Sequence, residues 1–250
     1  MWSNHINYYL SMRTHQLVLS WIENELSAGR LTVGGRLPAE RTLAEQLKVS
    51  RTSVREAIRI LEAMGVVRAG VGSGPDAGTV VISDPTAALG SALRLHVATQ
   101  HLPVADIVET RVLLESWAVA RASPDAPELD DAAALLEGMD AEDLSVGDFL
   151  AMDVRFHLAL ADAAGNAVVS AMMGSLRESI QGYAAELTSS LPDWDATAAR
   201  LRAEHHDILA AIRNDDGGHA AKLVAAHIEG YYKEAGLGSA RTRDPSTMDG

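Results

Sequence analysis

The chain has 250 residues, no cysteine, 47% hydrophobic residues and a formal net charge of −13. That length suits one large domain or two modest ones with packed cores, and the missing thiols exclude disulfides, thiolate metal sites and cysteine nucleophiles. No apolar run reaches the roughly 18 residues that cross a bilayer, and the start MWSNHINYYLSMRTH lacks a basic stretch followed by an apolar block, so a cytoplasmic protein with no membrane partner is expected.

Along the chain, HQLVLSWIENELSAGRL sets Leu17, Leu19, Ile22 and Leu26 at helical spacing before the Gly/Pro break TVGGRLPAE. Pro38 is expected to open a second helix, with Glu40 in its first turn, where the macrodipole favours an anion, and Leu43, Ala44 and Leu47 inward. Ser50 suits the N-cap of a third helix from Arg51 to Met64, and Gly65 suits its C′ stop. The β-branched runs VVRAG and TVVI flank the turn-rich VGSGPDAG and read as a hairpin. Two helices joined by so short a turn cross steeply and project the start of the second outward, the helix-turn-helix arrangement, here with a two-stranded wing.

This N-terminal unit is expected over residues 1–83, ordered from about residue 14, with a linker at 84–88 in SDPTAALG. Beyond it the pattern is helical near 87–101, 104–122, 128–139, 146–164, 167–190, 194–213 and 217–235, with breaks at Pro103, SPDAP, AGN, SLPD and NDDGG. The expected fold is mainly α: a winged helix-turn-helix, then an antiparallel all-helical bundle of six to seven helices over 89–235. The segment near 87–101 favours seven, and the polar stretch 236–250 is expected to be disordered.

Within VSRTSVREAIRI, Arg51, Arg55 and Arg59 recur every four residues and share one helix face. An acidic chain argues against a phosphate partner, but the charge is uneven. Residues 1–85 hold 9 Lys+Arg against 8 Asp+Glu, whereas residues 86–250 hold 12 against 26. Residues 36–68 alone hold 7 basic against 4 acidic side chains. Potential depends on charge within a Debye length of about 8–10 Å, so a cationic patch survives on an anionic molecule. The competing reading is a solvated helix face. Against it stand the preceding turn, the hydroxyls Ser50, Thr52 and Ser53, and Arg41 one helix earlier, which together suit phosphate oxygens and guanine edges.

The stretch GGRLPAERTLAEQLKVSRTSVREAIRILEAMGVVRAGVGSG, about residues 34 to 74, closely resembles the winged helix-turn-helix of the GntR family of bacterial repressors, with LPAER, LAEQL, VSRTSVREAI and MGVV in register. The resemblance implies that Arg41, Arg51 and Arg55 read a double-stranded DNA operator, with Glu40, Ser50, Thr52 and Ser53 as neighbouring contacts and Gly72, Ser73 and Gly74 in the wing. Arg59 lies a further turn along. The chain departs from the family by inserting PDAG between that GSG and Thr79, which lengthens the wing tip and puts Asp76 where it would repel a phosphate.

In the acidic half, MDVRFHLALADAAGN places Asp153 and His157 at i, i+4, able to chelate one cation. Later helices add His205 or His206, then His227; His219 is an outlying candidate. A carboxylate with imidazoles suits a divalent transition metal, with Zn, Ni and Mn all reasonable. A polar core cluster is the alternative. DVRFH, the AGN that ends nine residues past His157, EHHDILAAI, AAHI and ETRVLLE (Arg111 and Glu115) resemble the FCD effector domain of FadR-like GntR regulators over about residues 104 to 230. The resemblance implies Asp153, His157, His205 and His227 as ligands of one ion, with His205 preferred over His206 by the pattern's spacing.

Four protein ligands leave positions open on a metal of higher coordination number, where a small organic acid could bind beside Arg111 or, less favourably, Arg155. Trp117, Met152, Met172 and Met173 are expected in the core, and Asn166 as a helix cap. The resulting expectation is a ligand-responsive repressor that binds a pseudo-palindromic operator as a homodimer. A metal-dependent hydrolase or lyase with an accessory DNA-binding domain is the alternative. It lacks a convincing general base, since Glu115, Glu178 and Glu204 qualify only as carboxylates on helices.

Overall fold

The computed structural model describes residues 14–70, 78–99, 101–141, 144–189 and 191–236. The chain divides into two compact units, Met1–Leu89 and Gly90–Gly250. All of the expected tail 236–250 except Gly236, the wing residues Gly72, Ser73 and Gly74, and Asp76 lie outside the described residues.

The first unit contains α1 (Thr14–Ser27), α2 (Glu40–Leu47), α3 (Arg51–Ala63), β1 (Val67–Gly70) and β2 (Gly78–Val81). On α1 the buried face is His15, Val18 and Ile22, with Leu19 and Leu26 partly buried, while Leu17 is exposed. The true stripe runs through Val18 rather than Leu17, because a residue one position off turns by 100° around the helix. Helix α2 starts at Glu40, two residues later than Pro38, and ends in a left-handed Lys48 with φ 55°. A tight turn leads to Ser50, whose Oγ accepts from the Ser53 N–H at 3.0 Å and caps α3. Val54, Ala57, Ile58 and Leu61 form the buried stripe of α3 at i, i+3, i+4 and i+7, which leaves Arg51, Arg55 and Arg59 outside. The strands pair antiparallel from Val67↔Val81 to Gly70↔Gly78.

The second stretch contains α4 (Pro85–Ala98), α5 (Val104–Val119), α6 (Glu128–Met139), α7 (Val146–Asp162), α8 (Ala167–Ser189), α9 (Trp194–Arg213) and α10 (Gly217–Glu234). Seven helices thus follow the wing among the described residues. The linker expected at 84–88 is a correction: helix begins at Pro85, since proline fits the first helical turn without loss of a hydrogen bond. Side chains stop the fraying of several other starts: Ser145, Asp193 and Asp216 accept from N–H groups of Asp148, Ala196 and His219, and Asn166 accepts from Val168 and Val169. Phe149, Phe156, Leu136, Met139, Ile208, Ile212 and Ile228 fill the core. Met173 is buried and Met152 and Trp117 pack partly buried, but Met172 is 36% exposed, contrary to its expected core role. No helix among the described residues is long and apolar enough to cross a membrane.

Gly65 ends α3 at φ +68°, and a Cβ there would collide with the carbonyl of Asp84. Gly65→Ala is expected to destabilise the first unit by more than about 1 kcal/mol, because the left-handed backbone and the clash act together. Urea unfolding of the full chain followed at Trp21 would register this as a lowered midpoint.

Candidate DNA-reading head and metal centre

Arg41, Arg51 and Arg55 all stand at the surface, with 78%, 59% and 57% of their side chains exposed. Arg55 Nε donates to Glu40 Oε2 at 2.7 Å, Arg51 approaches the same carboxylate at 4.0 Å, and Arg41 lies 3.9 Å from Glu45. Exposed pairs of this kind contribute at most about 1 kcal/mol, so a phosphate or base edge can displace them. Ser50 and Thr52 are also exposed. Ser53 is not: it is 7% exposed, its Oγ lies within hydrogen-bond reach of Thr14 Oγ1 and Ser50 Oγ, and it ties α1 to the start of α3. Its expected role as a DNA contact is corrected accordingly, since the i+3 position from Ser50 falls on the buried side of α3.

In the second unit, α7, α9 and α10 bring Asp153, His157, His205 and His227 together, with one ligand atom from each within 4.8 Å of all the others. His157 Nε2 lies 3.2 Å from His227 Nε2 and 3.5 Å from Asp153 Oδ1, and His205 Nε2 lies 3.2 Å from the same oxygen. Two carboxylates stand behind the rings. Glu115 Oε2 meets His157 Nδ1 at 2.5 Å, and Glu204 Oε2 meets His227 Nδ1 at 2.8 Å. A carboxylate on Nδ1 keeps the proton there and turns a bare Nε2 inward, which is how metal-binding imidazoles are oriented. Both ring nitrogens of His205 are buried without a hydrogen-bond partner. Such nitrogens are costly in an apolar bundle unless something coordinates them. The donor set therefore fits one divalent transition metal. His206 is exposed beside Asp140, and His219 is exposed, so neither enters the cluster.

A cavity of about 230 Å³ opens onto this cluster, lined among others by Arg111, Asp153, His157, Arg177, His227, Tyr231 and Tyr232. Arg111 is 6% exposed and donates through Nε and Nη2 to Glu115 and through Nη1 to the Tyr232 hydroxyl. Arg155 is exposed and outside this lining, which corrects its expected place: it sits two positions from both Asp153 and His157, hence across the helix from them. The second buried guanidinium is Arg177 on α8, which donates to Asp153 Oδ2 at 3.1 Å. Sequence reasoning missed it. The available signal was its position on the stripe Met173, Leu176, Arg177, Ile180, where an arginine interrupts an otherwise apolar row.

Burial alone would raise the carboxyl of Glu115, but His157, Arg111 and Arg177 outweigh it and hold Glu115 well below the usual range. Asp153 is likewise depressed, as His157 and Arg177 overcome its burial. Burial pushes His205 down to about 4, and lowers His227 as well. An imidazole with a depressed folded pKa contributes stability that is complete above its ordinary value of about 6.5 and is lost as pH falls toward the folded value, because the unfolded chain binds the extra proton. Chelator-treated protein is therefore expected to lose on the order of 3 kcal/mol between about pH 6.5 and 4 through His205 alone. Denaturant midpoints across that window check this. Glu204→Gln is expected to weaken metal affinity roughly ten- to a hundredfold, by releasing the His227 ring, in a competition titration against a chromophoric chelator.

Two family models match the chain: "Bacterial regulatory proteins, gntR family" over residues 15–75 and "FCD domain" over residues 106–230. The HTH-type transcriptional regulator LutR of Bacillus subtilis is 29% identical over 219 residues, covering 82% of this chain and 97% of that one. The putative L-lactate dehydrogenase operon regulatory protein of Escherichia coli K12 is 30% identical over 202 residues, covering 79% and 77%. Among solved structures, Streptococcus agalactiae GntR shares the fold at TM-score 0.59 and 24% identity, covering 86% of this chain and 96% of that one. With a head that presents its arginines outward, joined in sequence to a helical domain of this kind, the chain belongs to the GntR family of DNA-binding transcription regulators, in the branch that carries an FCD domain.

Proposed function

We propose that this regulator is a cytoplasmic, ligand-responsive repressor that binds a pseudo-palindromic operator as a homodimer and senses a small organic acid in its metal-containing FCD cavity. The observation that carries the reading is the convergence of the Asp153–His157–His205–His227 cluster with two buried guanidiniums, Arg111 and Arg177, on one cavity. A bound divalent ion would supply an open coordination position for a carboxylate oxygen. Arg177 beside it would orient and charge-balance that carboxylate, while the apolar wall of Leu150, Val154, Ile180 and Ile228 excludes water. The relative named for an L-lactate dehydrogenase operon is in keeping with sensing of a small acid.

Dimerisation follows from the mode of reading, because one helix in a major groove contacts too few base pairs for useful affinity and two half-sites one turn apart remedy this. The effector acts only to the extent that it binds the DNA-competent and DNA-released arrangements unequally. The three carboxylates considered as bases for the hydrolase alternative are engaged: Glu115 and Glu204 with His157 and His227, and Glu178 with Arg94 at 3.4 Å.

On a site selected from random duplex DNA, Arg55→Ala is expected to weaken binding by about 1–3 kcal/mol, or roughly ten- to a hundredfold, with little change in thermal stability. Gel shifts with and without a panel of small carboxylic acids, before and after chelation, test the sensing. A protein that showed no sequence preference at moderate salt, or whose DNA affinity ignored every acid, would end the proposal.

A further inference from the structure

The cavity has two polar levels. His227 and Tyr232 lie five residues apart on α10, a rise of about 7.5 Å, and Arg111 and Glu115 lie four apart on α5, a rise of about 6 Å. Glu115 serves the metal level through His157, whereas Arg111 and Tyr232 meet one turn away. At that second level the hydrogen bonding leaves a donor over. A guanidinium only donates, so the Tyr232 oxygen must accept the 2.8 Å bond from Arg111 Nη1, and its own proton is directed elsewhere. Among the described residues no acceptor for that proton is found, and Tyr232 lines the cavity. Arg177 Nε also makes no hydrogen bond, but it faces Glu115 Oε1 at 3.7 Å.

Charge agrees with donor number. Among the buried groups Arg111 and Arg177 balance Glu115 and Asp153, while at the more exposed rim Arg200 is shared by Glu204 at 2.7 Å and Glu234 at 2.6 Å. A divalent ion on the four ligands would leave two positive charges uncompensated by those buried groups, which a monocarboxylate would neutralise only by half.

Resting on the effector reading above, we infer that the effector is a dianion, a short dicarboxylate of four or five carbons, whose second carboxylate accepts from the Tyr232 hydroxyl one helical turn from the ion. Tyr232 then sets specificity: it separates a two-ended acid from a one-ended acid of the same length. The cavity of about 230 Å³ holds such a molecule.

Calorimetric titration of the full-length, metal-loaded protein with succinate and with butyrate tests this, since the two differ only in the second carboxylate. Succinate is expected to bind at least about tenfold tighter, the scale of one charged hydrogen bond. In Tyr232→Phe the ratio should fall toward one through loss of succinate affinity, with butyrate nearly unchanged. Equal affinities in the parent protein overturn the inference, as does a Tyr232→Phe variant that loses both acids in parallel, the mark of a merely structural hydroxyl. Tight binding of lactate with none of succinate rejects the dianion and leaves the acid-sensing reading in place. If no acid binds at all, that reading falls too.

Discussion

Three imidazoles and a carboxylate face one another at the centre of an apolar helical bundle, and much of the second unit is organised around making that arrangement tolerable. Uncoordinated ring nitrogens in such surroundings cost several kcal/mol each against water. Glu204 relieves part of the cost by accepting from His227 Nδ1, and Glu115 sets its charge against His157 Nδ1. Those carboxylates are themselves held, Glu115 by Arg111 and Arg177, Glu204 by Arg200. What remains is a set of ring nitrogens and a carboxylate oxygen turned toward one another, a donor set whose chemistry matches a divalent cation.

The same architecture explains why the cavity is layered. Asp153/His157 and Arg111/Glu115 are i, i+4 pairs, and His227 is followed at that spacing by Tyr231. Asp153 and His157 both reach the metal level, whereas each of the other two pairs puts one group there and another a turn away. Because Glu115 faces the histidines while Arg111 reaches Tyr232, five residues beyond His227, α5 and α10 must run in opposite directions. Polar groups thus line the cavity in register, and apolar side chains close the space between them.

The N-terminal head is built on the opposite economy. It buries a continuous stripe of small and branched apolar residues on α3 and leaves three arginines in water, with Arg51 and Arg55 near the half-buried carboxylate of Glu40. The overall charge of −13 is carried chiefly by residues 86–250, so the head keeps a local cationic character. Glu40 holds Arg55 until a stronger anion replaces it, which suits a surface that meets phosphate.

Much of this was legible without coordinates. Helix starts follow from local chemistry: Ser50, Ser145, Asp193 and Asp216 cap where their short polar side chains can reach the next turn. Asp153 with His157 was visible because a helix places such neighbours on one face whatever surrounds it. Other features depended on the packing of distant segments. Leu17 and Val18 are both apolar, and only contact with α3 decided which turns inward. The choice of His205 over His206 in space rested on the rotation of α9, since adjacent positions point 100° apart. Arg155 and Arg177 exchanged places for the same reason. The sequence by itself determined the order, the helical pattern and the types of ligand, because these arise from neighbours along the chain. Only the tertiary structure decided which guanidiniums are buried and that the Tyr232 hydroxyl accepts from Arg111, because those depend on groups brought together from residues tens to more than a hundred positions apart.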